Sequence, residues 1–258
     1  MCSSDLGERD DLGGGPQKVG VAVADLFTGM YASVAILAAL RHAENTGQGQ
    51  HIDMALLDTQ VAMLANLGAN YLVSGNVPGR AGNAHQNIVP YQVFEVAPAA
   101  DGSKDYLILA VGNDGQYAKF CAVAGKPELA EDPRFAKNSE RVRHRAVLVP
   151  ILEDIMRTRS KHDWLGALEA AKVPCGAINN LAEVFDDPHV QSRGMVHTWQ
   201  RTGTGPVNLV ASPMKFSATP VRNEIAPPLL GQHTQEVLGA LLGFSNEKIQ
   251  QLRDASVI

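Results

Sequence analysis

Val19-Gly20-Val21-Ala22-Val23-Ala24-Asp25-Leu26-Phe27-Thr28-Gly29 is the stretch on which the reading of this chain turns. Up to Asp25, valine alternates with glycine or alanine, the period-2 pattern of a strand. From Leu26 to Ala43 the sequence runs LFTGMYASVAILAALRHA, with no charged side chain before Arg41. A helix that is apolar on every side is expected to be buried on every side. A lone carboxylate where an apolar strand turns into such a helix is either a helix cap or a reagent.

Working outward, residues 17–75 read as strand, helix, strand, helix. Asn45–Gln50 is a turn in which Gly47 and Gly49 are free to take positive φ. His51–Leu56 reads as a second strand, and Asp58 as the cap of a helix running to about Val73 and stopping at Gly75. Strand, buried helix and strand together imply a right-handed parallel crossover, and so an α/β sheet covered on both faces. Segment 75–92 is loop by composition. Beyond it, Val93–Val96 and Tyr106–Val111 read as strands across a turn at Asp101-Gly102. Helices are expected near 114–124, 126–131, 138–157 and 161–171, then an extended piece at 173–179 and a helix or turn near 181–186. Strands follow at Met195–Trp199 and Pro206–Leu209, and helices at Thr234–Leu242 and Asn246–Arg253, the last capped by Ser245. The expected division is a lead over 1–16, a large-domain βαβα segment over 17–84, a small α+β domain over 85–190, and a return to the large domain over 191–258.

The 258 residues are enough for one large or two small domains. Hydrophobic residues at 45% and charged residues at 19% are the balance of an ordinary globular chain. A net charge of −5 and a pI near 5.9 argue against nucleic acid or an anionic membrane as partner, and no basic run offsets them. Cys2, Cys121 and Cys175 are scattered without a CxxC pair, which fits a reducing cytoplasm. The eight histidines form neither HxH nor HExxH, so no metal is expected. Segment 29–40 is too short for a bilayer, which takes roughly 20 apolar residues. The opening MCSSDLGERDD lacks the basic and apolar runs of a signal peptide. Met1–Pro16 is instead a polar, glycine-rich lead into a buried unit, which suggests a start part-way through a larger fold.

Asp25 precedes the apolar helix, where its oxygens could accept the free backbone N–H groups. The same position favours an anion, and a carboxylate there could attack an activated acyl group while nearby N–H groups hold the oxyanion. Spacing leaves both roles open. Asp53 and Asp58 read as structural. The loop Gly79–Asn87 carries Arg80, Asn83, His85, Gln86 and Asn87 between glycines. Such side chains are either solvated loop residues or the donors of a carboxylic-acid site, with Arg80 pairing the charge and the amides or His85 orienting it. Asn179-Asn180 and Gln232-His233 are weaker candidates of the same kind. The charge run Glu128–Arg145 reads as a solvated helical face, and Trp164 and Trp199 as core or interface. GxGxxG, GxxxxGK[ST] and GxSxG are all missing, so dinucleotide, P-loop and α/β-hydrolase readings have no motif.

In order along the chain stand GERDD (7–11), VADLFTGMYASVAILAAL (23–40), TGQGQHIDMALLD (46–58), NAHQNIVPYQVF (83–94), VPCGAINN (173–180), PPLLGQHTQEVL (227–238) and LGFSNEKIQQL (242–252). Their order and spacing resemble the family III CoA-transferases, the group that includes formyl-CoA transferase, carnitine CoA-transferase and the alpha-methylacyl-CoA racemases. IVPYQ, VPCGAINN and PPLLGQHT look most like the branch that moves CoA between dicarboxylic acids.

The resemblance implies a Rossmann-like large domain plus a smaller α+β domain, in an interlocked homodimer. It places the catalytic aspartate at Asp25 and a CoA contact at Leu56. It implies an acyl-CoA and a small carboxylic acid as partners, with the CoA thioester as substrate and no separate cofactor. Asp25 would attack the donor thioester to give an aspartyl–acyl anhydride, which CoA thiolate converts to an aspartyl-CoA thioester before CoA passes to the acceptor. Family members are much longer, which implies that their N-terminal half, with most CoA-contacting residues, lies outside this sequence. Where formyl-CoA transferase has a glycine-rich loop over its aspartate, this chain reads Gly82-Asn83-Ala84-His85-Gln86-Asn87, so a lid here would act through side chains. Racemase-type proton transfer in the same fold, or an inactive fragment or accessory subunit, are the alternative expectations.

Overall fold

The computed structural model describes residues 19–201, 203, 205–222 and 224–258. The expected lead over 1–16 lies outside the described residues. The chain divides into two compact units, Met1–Ile178 and Asn179–Ile258. The architecture is mixed helix and sheet, in line with the α/β class.

Helix α1 (Val23–Thr46) takes up the second half of the expected strand. Residues 19–22 are coil and bend, and His51–Ala55 has no regular structure, so neither expected strand forms among the described residues. The physical reason is that a strand needs a neighbouring ladder, and a few alternating valines do not supply one. The five strands described lie in antiparallel sheets, none of them within 19–75.

No residue of α1 is buried. Leu26, Met30, Val34 and Leu37 are each 60–67% exposed, so the expected burial on every side is not met within the described residues. Its polar residues are reconciled locally: Thr28 Oγ1 donates to Ala24 O at 2.7 Å and Ser33 Oγ to Gly29 O at 2.9 Å. The helix ends as expected at Gly47, in the left-handed region at φ +73°, whose N–H bonds Ala43 O. At 24 residues it is about 36 Å long, so length no longer argues against a bilayer as it did for 29–40 alone.

The expected helix over 58–73 is two helices, α2 (Leu56–Ala62) and α3 (Ala65–Ser74). The break falls at Ala65, which carries a φ of +46°. Gly75 stops α3 at φ +71°.

Strands β1 (Tyr91–Glu95) and β2 (Tyr106–Ala110) pair antiparallel, Phe94 opposite Leu107 and Gln92 opposite Leu109, and β3 (Cys175–Ala177) joins the far edge of β2. Alternate residues point into the core, which continues through α4 (Asp114–Val123), α5 (Glu128–Glu131), α6 (Asn138–Arg143), α7 (Arg145–Met156) and α8 (Lys161–Ala170). Phe94, Leu107, Phe120, Leu152 and Trp164 are fully or almost fully enclosed, and Trp164 Nε1 donates to Met156 O at 2.7 Å. The single helix expected over 138–157 breaks at His144 into α6 and α7.

In the second unit, Asn180 opens α9 (Leu181–Asp186) with a capping box to Glu183, which accounts for that asparagine structurally. After α10 (Pro188–Ser192), β4 (Val196–Arg201) and β5 (Gly205–Val210) form an antiparallel hairpin. The helix expected over Thr234–Leu242 is a short α11 (Thr234–Glu236) running into a π-helical turn, Val237–Leu241. α12 (Asn246–Asp254) is capped by Ser245, as expected.

Candidate active site

Asp25 is the third residue of α1. The N-cap is Ala22, which offers the free N–H groups nothing, and Asp25 makes no capping bond either. Among the described residues its exposed carboxylate accepts no hydrogen bond and meets no cation. The cap role that spacing left open is therefore not the one it plays. What the position retains is the field of the first helical turn, whose N–H groups put partial positive charge beside the carboxylate.

Asp58 stands in the same way, third in α2 after Ala55 and without a cap bond, so the cap expected there is also missing. Asp53 is exposed in the irregular segment before α2. Leu56 opens α2, which packs beside α1, and is 52% exposed.

The loop before β1 is no solvated excursion. His85 N donates to Tyr91 O at 2.8 Å, closing it on itself, and the His85 ring stacks on Tyr91 with centroids 5.3 Å apart. Asn83 Oδ1 accepts Val93 N–H at 2.9 Å, which leaves the Asn83 amide hydrogens for other partners. Asn87 and Asn70 of α3 exchange reciprocal side-chain bonds of 2.9 and 3.1 Å. Asn87 N–H also donates to His85 Nδ1 at 3.0 Å. A backbone amide can only donate, so Nδ1 is the acceptor and the imidazole proton sits on Nε2.

Asn83, His85 and Gln86, together with Asn66 and Leu67 of α3 and Tyr91 of β1, line an open cleft of about 310 Å³. Of the five loop residues singled out in the sequence, these three share the cleft. Asn87 braces the loop instead, and Arg80 is half-buried outside the lining. The cleft thus offers neutral donors, a pattern suited to orienting a carboxylate or a polarised carbonyl. Among the described residues no three His, Cys, Asp or Glu side chains converge to hold a metal ion.

The loop is held from behind by the run expected to be a solvated face. Arg141 is fully buried, donating to Val89 O at 2.6 Å, Phe135 O at 2.9 Å and Asp114 Oδ1 at 3.0 Å. Asn138 donates to Asn87 O and accepts from Val89 N–H. Arg145 Nη2 donates to His85 O at 2.6 Å and Gln86 O at 2.7 Å. Burial pushes the Asp114 carboxyl up, but the hydrogen bonds from Arg141 and Asn138 and the charges of Arg141 and Lys137 outweigh it and leave it below its ordinary value. Burial alone lowers the Arg145 guanidinium. Cys121 is pushed up to about 11 by burial, which makes it a poor nucleophile. Asn138, Arg141 and Arg145 were hidden in the sequence because their acceptors are backbone carbonyls and Asp114, which carry no local signal. Tyr91 and Asn70 were hidden because a ring stack on His85 and a side-chain exchange with Asn87 leave no mark in sequence spacing.

In the second unit, Gln232 and His233 contribute to a separate apolar hollow of about 390 Å³. Gln232 Oε1 accepts Leu229 N–H and His233 Nδ1 lies 3.2 Å from Glu236 Oε2, so both have local partners.

The family model for CoA-transferase family III matches residues 6–234. The chain belongs to CoA-transferase family III. Succinate–glutarate CoA-transferase of Agrobacterium fabrum is 48% identical over 235 residues, which cover 91% of this chain and 56% of that protein. Succinyl-CoA:glutarate CoA-transferase of Homo sapiens is 36% identical over 245 residues, covering 95% of this chain and 55% of the human protein. A solved CAIB/BAIF family protein from Brucella suis matches with a TM-score of 0.71 at 43% identity, over 93% of this chain and 60% of that one. The family III chain thus spans little more than half the length of these relatives.

Proposed function

We propose that this chain carries the nucleophile and the acceptor loop of a CoA-transferase acting between an acyl-CoA, succinyl-CoA first among them, and a dicarboxylic acid such as glutarate. The substrate class comes from the relatives, whose names pair succinate or succinyl-CoA with glutarate. The observation that carries the reading is the braced cleft at His85, where Asn83, His85 and Gln86 gather neutral donors beside an aromatic ring.

In this reading the Asp25 carboxylate attacks the donor thioester carbonyl. The C–S bond breaks, CoA leaves as thiolate, and an aspartyl–acyl anhydride remains. The thiolate then attacks the aspartyl carbonyl and expels the donor carboxylate, leaving an aspartyl-CoA thioester. The acceptor carboxylate displaces CoA to form a second anhydride, and thiolate attack at the acceptor carbonyl gives the new acyl-CoA and restores Asp25. Keeping the activated acyl group covalently attached spares it from hydrolysis. His85 Nε2–H and the Asn83 amide orient the acceptor, and Arg80 pairs with its charge. Leu56, at the start of the helix beside α1, contributes to the CoA contact. The segment 17–84 belongs to the large domain and 85–190 to the small one, in a cytoplasmic homodimer.

Incubated with succinyl-CoA and glutarate, the chain is expected to form glutaryl-CoA, and hydroxylamine to trap an acyl-enzyme. Asp25→Ala removes both. Transfer retained in Asp25→Ala would refute the nucleophile, and solvent deuterium entering the acyl α-carbon without transfer would replace the reading by a racemase. A chain that binds no CoA in calorimetry and transfers nothing would overturn it in favour of an accessory role.

A further inference from the structure

We propose that Arg145 is a positioning residue for His85, acting on the backbone to fix which ring nitrogen carries the proton. This rests on the acceptor role given to the His85 cleft. Arg145 opens α7 and lies 60 residues along the chain from His85, yet one terminal nitrogen, Nη2, donates to two successive carbonyls, His85 O and Gln86 O. Its two hydrogens meet one acceptor each. Two adjacent carbonyls turned toward one cation constrain the peptide between them, and the next residue along is Asn87.

Asn87 N–H is the group that donates to His85 Nδ1. Turning the His85–Gln86 or Gln86–Asn87 peptide away from Arg145 would carry that N–H off the imidazole. With it would go the reason for the proton to reside on Nε2, because either ring nitrogen of a neutral histidine can hold it. The remaining contacts of the ring do not choose between nitrogens: the Tyr91 stack holds its plane and the His85 N–H to Tyr91 O bond holds its backbone. Asn138 and Asn70 restrain Asn87 through its carbonyl and side chain, leaving its N–H for His85. Among the described residues Arg145 has no ion-pair partner, so no carboxylate competes for the guanidinium. Arg145 does not line the cleft. It acts through His85, presenting an N–H donor rather than a lone pair to whatever enters.

The test uses the full chain labelled with ¹⁵N-histidine, the His85 signal being assigned by its loss in His85→Phe. The unaltered chain is expected to show one neutral His85 tautomer, protonated on Nε2, with the Asn87 amide protected from exchange. In Arg145→Met both tautomers appear, Asn87 loses protection, and the KM for glutarate rises about tenfold while the KM for succinyl-CoA stays unchanged. Added guanidinium partly restores the single tautomer. Arg145→Lys, whose single ammonium nitrogen keeps the charge and enough hydrogens but sits on a shorter side chain, falls between the two, and it decides the matter if Arg145→Met fails to fold. A single Nε2–H tautomer and an unchanged glutarate KM in both variants would overturn the role, as would a His85 protonated on Nδ1 in the unaltered chain. An Arg145-dependent tautomer in a chain that transfers no CoA supports the positioning role and refutes the function proposed for the cleft.

Discussion

Replacing Arg141 by methionine keeps most of a long side chain in place and removes every donor, which makes its cost calculable from the contacts. The guanidinium is fully buried and makes four hydrogen bonds, to Val89 O, Phe135 O, Ala136 O and Asp114 Oδ1, at 2.6 to 3.2 Å. It also lies over the Tyr117 ring, 4.3 Å from the centroid. Val89 and Phe135 are buried, so their carbonyls gain no water in exchange, at about 1–3 kcal/mol each. Asp114 is 39% exposed and rehydrates, so its share is that of a surface pair, about 0–1 kcal/mol. The sum centres near 4 kcal/mol, roughly 8–16 °C in melting temperature for a chain of this size. Urea unfolding followed by Trp164 fluorescence in a Trp199→Phe background reads the unit that holds Arg141. A loss below about 1 kcal/mol would refute the reasoning, because it would mean that the three carbonyls find other donors at little cost.

Two further outcomes follow from the same geometry. Ala65 holds a φ of +46° between α2 and α3, so Ala65→Gly should raise stability by about 0.5 kcal/mol, relief of the left-handed backbone exceeding the added chain entropy. A lower urea midpoint in Ala65→Gly would contradict the assigned conformation. The folded Asp114 carboxyl lies below its ordinary value of 3.8, so the unfolded chain binds the proton first. Its contribution is complete above that value and is lost as pH falls through it toward the lower folded one. Asp114→Asn should therefore flatten the acid limb of the stability curve below about pH 4 and leave its slope near neutrality alone. An acid limb identical in the two chains would remove Asp114 from the brace.

How much was legible depends on where each element finds its partners. The small sheet was readable because alternation in Val93–Val96 and Tyr106–Val111 and the turn at Asp101-Gly102 are local patterns, and the structure repeats them to within a few residues. Ser245, Gly47 and Gly75 were readable as caps for the same reason. The strands expected at 19–25 and 51–56 failed because the pattern of a strand says nothing about whether a ladder stands beside it. The run 128–145 was misread because charge is visible in a sequence and the acceptor of a charge is not. Arg141 reaches Val89 O across 52 residues and Arg145 reaches His85 O across 60. Asp25 is visible in the sequence as the lone carboxylate near the start of the helix, and the cap role that spacing allows fails because α1 already begins at Val23. The family was legible from the order of seven short motifs, none of which is decisive alone.

Helix α1 contributes less to the hydrophobic free energy of the chain as described than its apolar composition allows, because none of its residues is fully enclosed. A helix held this lightly frays first at its ends. Asp25 sits in the first turn, where opening is easiest and amide exchange is fastest. In the reading that makes Asp25 the nucleophile, opening of that turn would take the carboxylate out of its helix field. Packing along the leucines and valines of α1 would therefore steady the carboxylate more than anything adjacent to Asp25 in the sequence.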